Sequence, residues 1–389
     1  MVDVAVVGGG PAGSSAALVL ARAGLETVVI DRSHFPRVKV CGEYLGAGAV
    51  AQLRDLGFDD LLSERGSPIA GIRLCGSGVQ TELRFSQAGC ALPRMVLDHA
   101  LLSRAIESGA KFVQARVENV ELEDAGGLVT SVGQEGEPLT VRARFIIGAD
   151  GAHSIVAKKL GLTAPQRDPP RFALGGHYSG FTDLGPFVEM FVEGSSYFAV
   201  NPFSAARANV MLIVRENELS ARKNDVDTFL RERARALSGG STRFSNAHLE
   251  GKRLAVGPLA HATRAITAGH VLLAGDAAGF IDPFTGQGVY MALRGGIAAA
   301  GAVIAARAHP STSQTAIETY ANEIAREFRM RNRLARIVRS VVRSGVLSRR
   351  AARNLQRDPS RGQTLIDAIA GCGPLEPALR FGNLLALVA

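Results

Sequence analysis

Six residues, Gly8-Gly9-Gly10-Pro11-Ala12-Gly13, constrain this chain more than any other stretch. They follow a β-branched run, Asp3 to Val7, and open a helical pattern from about Gly13 to Ala23. Gly24 stops that helix, and a second strand from Thr27 to Ile30 ends at Asp31. In this βαβ unit Gly8 permits the tight turn, Gly10 lets the backbone approach a pyrophosphate, and Gly13 allows close helix packing. The free N–H groups and positive dipole at the helix start favour phosphate. Asp31, with Arg32 beside it, is placed to accept hydrogen bonds from an adenosine ribose. The expected ligand is a dinucleotide, held by Gly8, Gly10, Pro11, Ala12, Gly13, Asp31 and Arg32.

At 389 residues the chain has room for two domains sharing one ligand, or one large α/β domain with an inserted module. Its 47% hydrophobic residues, 44 glycines and lack of Trp suit an α/β enzyme and exclude a disordered protein. Cys41, Cys75, Cys90 and Cys372 form no CxxC pair, so neither a zinc site nor a disulfide framework is expected, and a reducing cytoplasm fits. The apolar N-terminus lacks a basic leader and carries Asp3 and three glycines, which reads as strand and helix rather than secretory signal. No run of some twenty apolar residues appears, so a soluble protein is expected. The net charge of +8 is Arg-weighted near the C-terminus and not interleaved with aromatics, so nucleic acid is not an expected partner.

Two more motifs follow apolar strands. Gly148-Ala149-Asp150-Gly151-Ala152-His153-Ser154 comes after Arg144 to Ile147. Gly275-Asp276-Ala277-Ala278 comes after His270 to Ala274, with Asp282-Pro283-Phe284-Thr285-Gly286-Gln287-Gly288 opening the helix that runs to about Arg307. Both stand where open α/β sheets bind ligands, beyond the carboxyl ends of strands. Between them aromatic and β-branched runs, Tyr178 to Phe181, Phe187 to Val192, Tyr197 to Val200 and Asn209 to Val214, are joined by one helical pattern, Val226 to Leu237. The expected fold is α/β: a Rossmann-like dinucleotide domain in three parts (1–70, 94–162, 254–320), an inserted sheet-rich substrate domain in two (71–93, 163–253), and a helical C-terminal region (321–389).

The three motifs together resemble the FAD enzymes of the p-hydroxybenzoate hydroxylase superfamily, which includes aromatic monooxygenases, flavin-dependent halogenases and geranylgeranyl reductases. The resemblance covers about the first 310 residues. It implies that Gly275 and Asp276 meet the ribityl chain, that Arg94 in Pro93-Arg94-Met95-Val96-Leu97-Asp98 reaches the ribityl or phosphate region, and that the backbone of Val117 meets the adenine. It also sets Pro283, Gly286, Gln287 and Gly288 beside the isoalloxazine ring, where a helix N-terminus stabilises the negative charge of reduced flavin. No second GxGxxG appears, so electrons are expected from transiently bound NAD(P)H, with Asp150 and Gly151 at its approach, or from a separate flavin reductase.

The resemblance leaves the reaction open. Halogenases share Phe280-Ile281-Asp282-Pro283 and Gly42-Glu43, but they need a Trp-containing motif and a lysine, and this chain has no Trp and no Lys between Lys39 and Lys111. Gln287 looks like the hydroxylase form and tips the reading toward a monooxygenase acting through a C4a-hydroperoxyflavin on a lipophilic, electron-rich substrate. Gly279 and Lys39-Val40-Cys41-Gly42-Glu43 look like the reductases, so reduction of isoprenoid C=C bonds is the alternative; a flavin-binding protein without turnover is the reading from another class. His177, Tyr178, Tyr197 and Cys41 are the candidate catalytic side chains, each with ordinary packing as the competing explanation. No metal site is expected. In the tail, Arg329, Arg331, Arg333, Arg336, Arg339 and Arg343 alternate with Leu334, Ile337, Val338, Val341 and Val342. That basic amphipathic helix packs on the dinucleotide domain or lies on an anionic membrane or carrier protein.

Overall fold

The computed structural model describes every residue except 77–78, 166–169, 194–195, 221–227, 229–231, 233–243, 260, 281–282, 381 and 385–389. The helix expected at Val226 to Leu237, and Ile281 and Asp282, therefore lie outside the described residues, apart from Thr228 and Glu232.

Val4, Ala5, Val6 and Val7 are buried on both faces, as a central parallel strand requires. They belong to β1 (Val2–Val7), which α1 (Pro11–Arg22) links to β2 (Thr27–Asp31) in parallel register from Val4–Thr27 to Val7–Ile30. Next come β3 (Tyr44–Leu45), α2 (Ala47–Asp55), α3 (Asp59–Arg65), β4 (Ser67–Gly76), β5 (Val79–Ala91), α4 (Arg94–Glu107) and β6 (Lys111–Gln114). β7 (Arg116–Glu123), β8 (Gly126–Val132) and β9 (Pro138–Gly148) form an antiparallel meander, and β9 returns parallel to β1 before α5 (Ile155–Lys159). β10 (Arg171–Ser179), β11 (Phe187–Glu193), β12 (Ser196–Pro202), β13 (Arg207–Arg215), α6 (Glu216–Ser220) and β14 (His248–Val256) follow. β15 (Thr267–Ala268) and β16 (Val271–Leu273) precede α7 (Gly288–Ala308), α8 (Ser313–Arg343), α9 (Gly345–Arg357), α10 (Gln363–Ala370) and α11 (Leu375–Ala378).

Two sheets result. The first runs β15-β16-β9-β1-β2-β6 with β8 and β7 attached to β9; the second runs β14-β10-β13-β12-β11-β4-β5-β3. The strands of the second come from 44–45, 67–91 and 171–256; they overlap the inserted ranges 71–93 and 163–253 drawn from sequence and extend beyond them at 44–45, 67–70 and 254–256. Two residues such as Tyr44 and Leu45 carry no readable period, so β3 is invisible until it pairs with Cys90 and Ala91. β6 and β7 are separated at buried Ala115, whose N–H donates to the Asp31 carbonyl as the chain leaves β2 and turns to pair with β8.

α8 buries Ile317, Tyr320, Ile324, Phe328, Arg331, Leu334 and Ala335 in a 3.6-residue stripe. Its first half packs into the dinucleotide-domain core, where the Tyr320 hydroxyl donates to the Leu273 carbonyl at 2.5 Å. Farther along, Val338 and Val342 pack against the core of the second sheet. α7 is long and apolar enough to cross a membrane, and half of that stretch is buried inside the protein. Its small residues let it lie close on α1: a Cβ at Gly296 would fall on the Ala12 carbonyl, whereas a Cβ at Gly301, on the outer side, would meet nothing within 4 Å.

Two glycines of one helix are thus expected to respond oppositely. Gly296→Val lowers unfolding stability by about 1–3 kcal/mol through overpacking, and Gly301→Ala raises it by roughly 0.5–1 kcal/mol through helix propensity. Urea unfolding of the two variants checks both signs.

Candidate functional site

One cavity of about 640 Å³ begins at the start of α1, passes the ends of β2, β9 and β16, and reaches the second sheet. At its phosphate end the three motif glycines do different work. Gly8 has φ +106° and a Cβ there would strike Ala149; a Cβ at Gly13 would strike the Gly8 carbonyl. Gly10 is crowded by nothing except Arg37 Nη2 at 3.5 Å. Its missing side chain leaves room in the cavity, at the positive end of α1, for a phosphate. Pro11, Ala12 and Arg32 line the same space.

Asp31 lines the cavity too, but its oxygens are engaged. Oδ2 accepts the Gly9 N–H at 2.7 Å, Oδ1 accepts the Ser33 N–H at 2.8 Å, and Arg37 Nη1 lies 3.3 Å away. The carboxylate shapes the glycine loop as well as facing the expected ribose. Beside it are three cations. Arg94 forks onto Asp98 at 2.7 and 2.9 Å, and the same buried carboxylate stands 3.7 Å from Arg37 Nε. Lys39 opens on the cavity with no hydrogen bond or ion pair among the described residues; burial first, then Arg37 and Arg94, pull its pKa down. An ammonium so placed favours an anion. Arg37 went unread and Lys39 entered only as part of a reductase-like segment, because a single basic residue in an aperiodic loop does not announce its role.

Gly275 and Asp276 stand where β16 ends. The Asp276 carboxylate lines the cavity without a hydrogen-bond donor among the described residues, and burial raises its pKa against the pull of Arg94, Lys39 and His261. A donor-seeking carboxylate here fits a polyol such as a ribityl chain. Val117, with Ala115 and Arg116, lines the far end, where the adenine was expected. Pro283, Gly286 and Gly288 line the wall by the start of α7.

Two expected cofactor contacts serve other groups. Gln287 points away: its Nε2 donates to the Ala368 and Ile369 carbonyls at 2.9 and 2.5 Å, and its Oε1 accepts from Arg331 Nη1 at 2.6 Å. With every amide atom engaged by the C-terminal helices, its side chain fastens them to the start of α7. Asp150 borders the cavity, yet it accepts from Ser154 Oγ and the Ile155 N–H, both at 2.6 Å, and so caps α5.

Strand alternation sorts the catalytic candidates. Ala173, Tyr197, Ala199, Met211 and Ile213 face the cavity, joined by Val256, Pro258 and Leu259, so this chamber is almost wholly apolar. Tyr197 meets the edge of Phe284 at 5.2 Å between ring centroids. Tyr178 is on the opposite face, buried with Phe181, Phe191 and Phe198, and is removed from the site. His177 reaches the site through Glu43: Nε2 lies 2.6 Å from Oε2, while Oε1 accepts the Arg94 N–H at 2.7 Å. The pairing with Glu43 raises the His177 pKa despite partial burial. Glu43 itself has φ +54°, a left-handed conformation costly for a non-glycine residue. The second sheet holds it there, with Asn201 donating to the Gly42 carbonyl at 3.0 Å and Asn209 to the Cys41 carbonyl at 2.5 Å. Cys41 lines the cavity, but burial raises its pKa and keeps it a thiol, which suits packing better than nucleophilic chemistry. Glu43, Asn201 and Asn209 were not site candidates from sequence; the left-handed Glu43 is a signal visible in coordinates alone.

The sequence pattern of the FAD binding domain family matches residues 1–331. The menaquinone reductase of Mycolicibacterium smegmatis is 31% identical over 318 residues, covering 77% of this chain and 75% of that protein. The digeranylgeranylglycerophospholipid reductase 1 of Methanopyrus kandleri is 32% identical over 343 residues, covering 84% and 87%. Among solved structures, the flavin-dependent brominase Bmp2 superposes with a TM-score of 0.84 over 96% of this chain and 95% of that one, at 20% identity, a likeness of fold.

The cradle predicts a separation of stability from cofactor affinity. Gly10→Val is expected to abolish FAD binding in a fluorescence titration while leaving the urea midpoint of the apoprotein almost unmoved. Gly13→Val loses both. Asp276→Ala weakens FAD binding about tenfold or more, as expected for a lost charge-assisted hydrogen bond.

Proposed function

This chain belongs to the FAD binding domain family and is an FAD-dependent oxidoreductase; from its geometry we propose that it reduces a carbon–carbon double bond of a lipophilic, prenyl-bearing substrate. The observation that carries this reading is the apolar chamber formed by Ala173, Ala199, Met211, Ile213, Val256 and Leu259, continuous with the flavin end of the cavity. A small polar substrate would find few hydrogen-bonding partners on that wall, and a hydrocarbon chain needs none. Two relatives at 31% and 32% identity are named as reductases of menaquinone and of a digeranylgeranyl lipid, molecules that both carry prenyl chains. Gln287, which favoured oxygenation when read as sequence, is fully occupied by the C-terminal helices.

Bound FAD, once reduced, would supply the hydride. The chain's residues do the rest: the apolar wall orients the substrate and excludes water, and the start of α7 offers its dipole to negative charge. The second carbon of the reduced bond takes up a proton, and we assign its delivery to Glu43, which lines the cavity, backed by His177 at 2.6 Å. His177 carries the proton at Nε2 toward Glu43, with Arg207 and Glu250 influencing it from the neighbouring strands. NAD(P)H or a separate reductase restores the reduced flavin.

The test is anaerobic. Protein-bound FAD reduced by NAD(P)H or by dithionite is mixed with a polyprenyl lipid, and the lipid is analysed by mass. Reoxidation of the flavin without oxygen, with the lipid heavier by two hydrogens, is the expected result. A product formed only after air is admitted, and heavier by one oxygen, would overturn the reductase in favour of a monooxygenase.

The raised His177 pKa sets a pH dependence. The charged pair contributes its full stability below the ordinary histidine value and loses it as pH rises through the raised one. kcat/KM is expected to fall along that alkaline limb. In His177→Gln the limb disappears and the rate drops about a hundredfold, the lower range for a lost general acid.

A further inference from the structure

From Arg329 to Arg357 the chain carries ten arginines, no Asp or Glu and no aromatic residue. Arg331 is used inside the protein: it is buried, pairs with Glu327 at 2.8 Å and holds Gln287. Much of the remainder forms outward stripes. On α8, Arg329, Arg333, Arg336 and Arg343 are exposed at helical spacing. Past the Ser344 cap, α9 turns Ala351, Ala352 and Leu355 inward and presents Val346, Arg350, Arg353 and Arg357 at intervals of four, three and four, with Arg349 alongside. Arg343, Arg349, Arg350, Arg353 and Arg357 pair with no carboxylate among the described residues. Val346, at the corner between the two helices, is 58% exposed, an apolar tip set among cations.

We propose that this corner, the end of α8 and the outer face of α9, is a docking surface for an anionic lipid bilayer, with the arginines on the headgroups and Val346 entering the interface. Charge complementarity carries the assignment: Arg343, Arg349, Arg350, Arg353 and Arg357, without counter-ions among the described residues, lower their self-repulsion on a negatively charged surface. The absence of aromatic residues argues against single-stranded nucleic acid, which such strips bind by stacking. The exposed valine suits a surface with an apolar interior. Position gives the surface a use, because the inner side of the same helix segment, Val338 and Val342, packs in the cluster that contains chamber residues Tyr197, Met211 and Ile213. That use rests on the lipid-reductase reading; the docking does not.

The experiment is cosedimentation of the full-length FAD-loaded protein with phosphatidylcholine vesicles, with and without an equal part of phosphatidylglycerol. Binding to the anionic vesicles at about 0.1 M salt and release near 1 M is expected, because screening at the higher strength shortens the field to about 3 Å. The variant Arg349→Gln/Arg350→Gln/Arg353→Gln should bind about a hundredfold more weakly, with flavin absorbance and urea midpoint unchanged. Val346→Ser should weaken binding at low salt by severalfold. Equal binding to neutral vesicles, no binding at low salt, no effect of the triple variant, or displacement by duplex DNA in preference to lipid would each overturn the proposal. Vesicle binding is read without turnover, so its failure is distinguishable from failure of the reductase assay.

Discussion

One carboxylate fixes the glycine loop to the rest of the molecule. Asp31 takes the Gly9 N–H at 2.7 Å and stands 3.3 Å from Arg37. Arg37 approaches Asp98, Asp98 holds Arg94 by two hydrogen bonds, the Arg94 N–H donates to Glu43, and Glu43 meets His177 on the second sheet. A continuous polar chain thus runs from the phosphate end of the cavity to the substrate end. Each charge in it has a partner, which is the condition for keeping such groups buried. The glycine loop and the second sheet are therefore tied together by one network of charges.

The glycine loop and the strands around it were legible in the sequence because their geometry leaves few substitutes. Gly8 and Gly13 sit where any Cβ would meet backbone, and the βαβ order announces them. Asp276 was legible for a similar reason, standing in a short motif directly after an apolar strand. The roles within the loop from Arg37 to Glu43 were not, although Lys39 to Glu43 looked reductase-like. The loop has no period, its cations gain meaning when folded over Asp31 and Asp98, and the left-handed turn at Glu43 is imposed by Asn201 and Asn209 from far along the chain. Tyr178 and Tyr197 stand on different strands, and only the pairing and packing of the sheet show that Tyr197 faces the chamber and Tyr178 the other core. Gln287 misled because its local sequence gives no sign of the carbonyls of Ala368 and Ile369, some eighty residues on.

The cavity uses two solvents of its own making. At one end hydrogen-bonding groups and charges crowd around space suited to phosphates and hydroxyls, and Lys39 and Asp276 are left with valences for a ligand to fill. At the other end the sheet presents methyl and methylene groups, where desolvation strengthens any charge interaction that remains. Glu43 lines the cavity between the two ends, with His177 2.6 Å behind it.

The 31 residues of α8 pass from one core to the other without a break. Tyr320 anchors its first half beneath β16, and Val338 and Val342 seat its second half under the substrate sheet. A beam fixed at both ends removes the hinge that two-domain enzymes commonly use to open and close, because swinging one domain would break the rod's own hydrogen bonds. The spacing between flavin and chamber is then a constant of the fold. Access to the chamber then depends on movement of local side chains rather than on domain opening, a route easier for a long flexible chain than for a broad rigid ring.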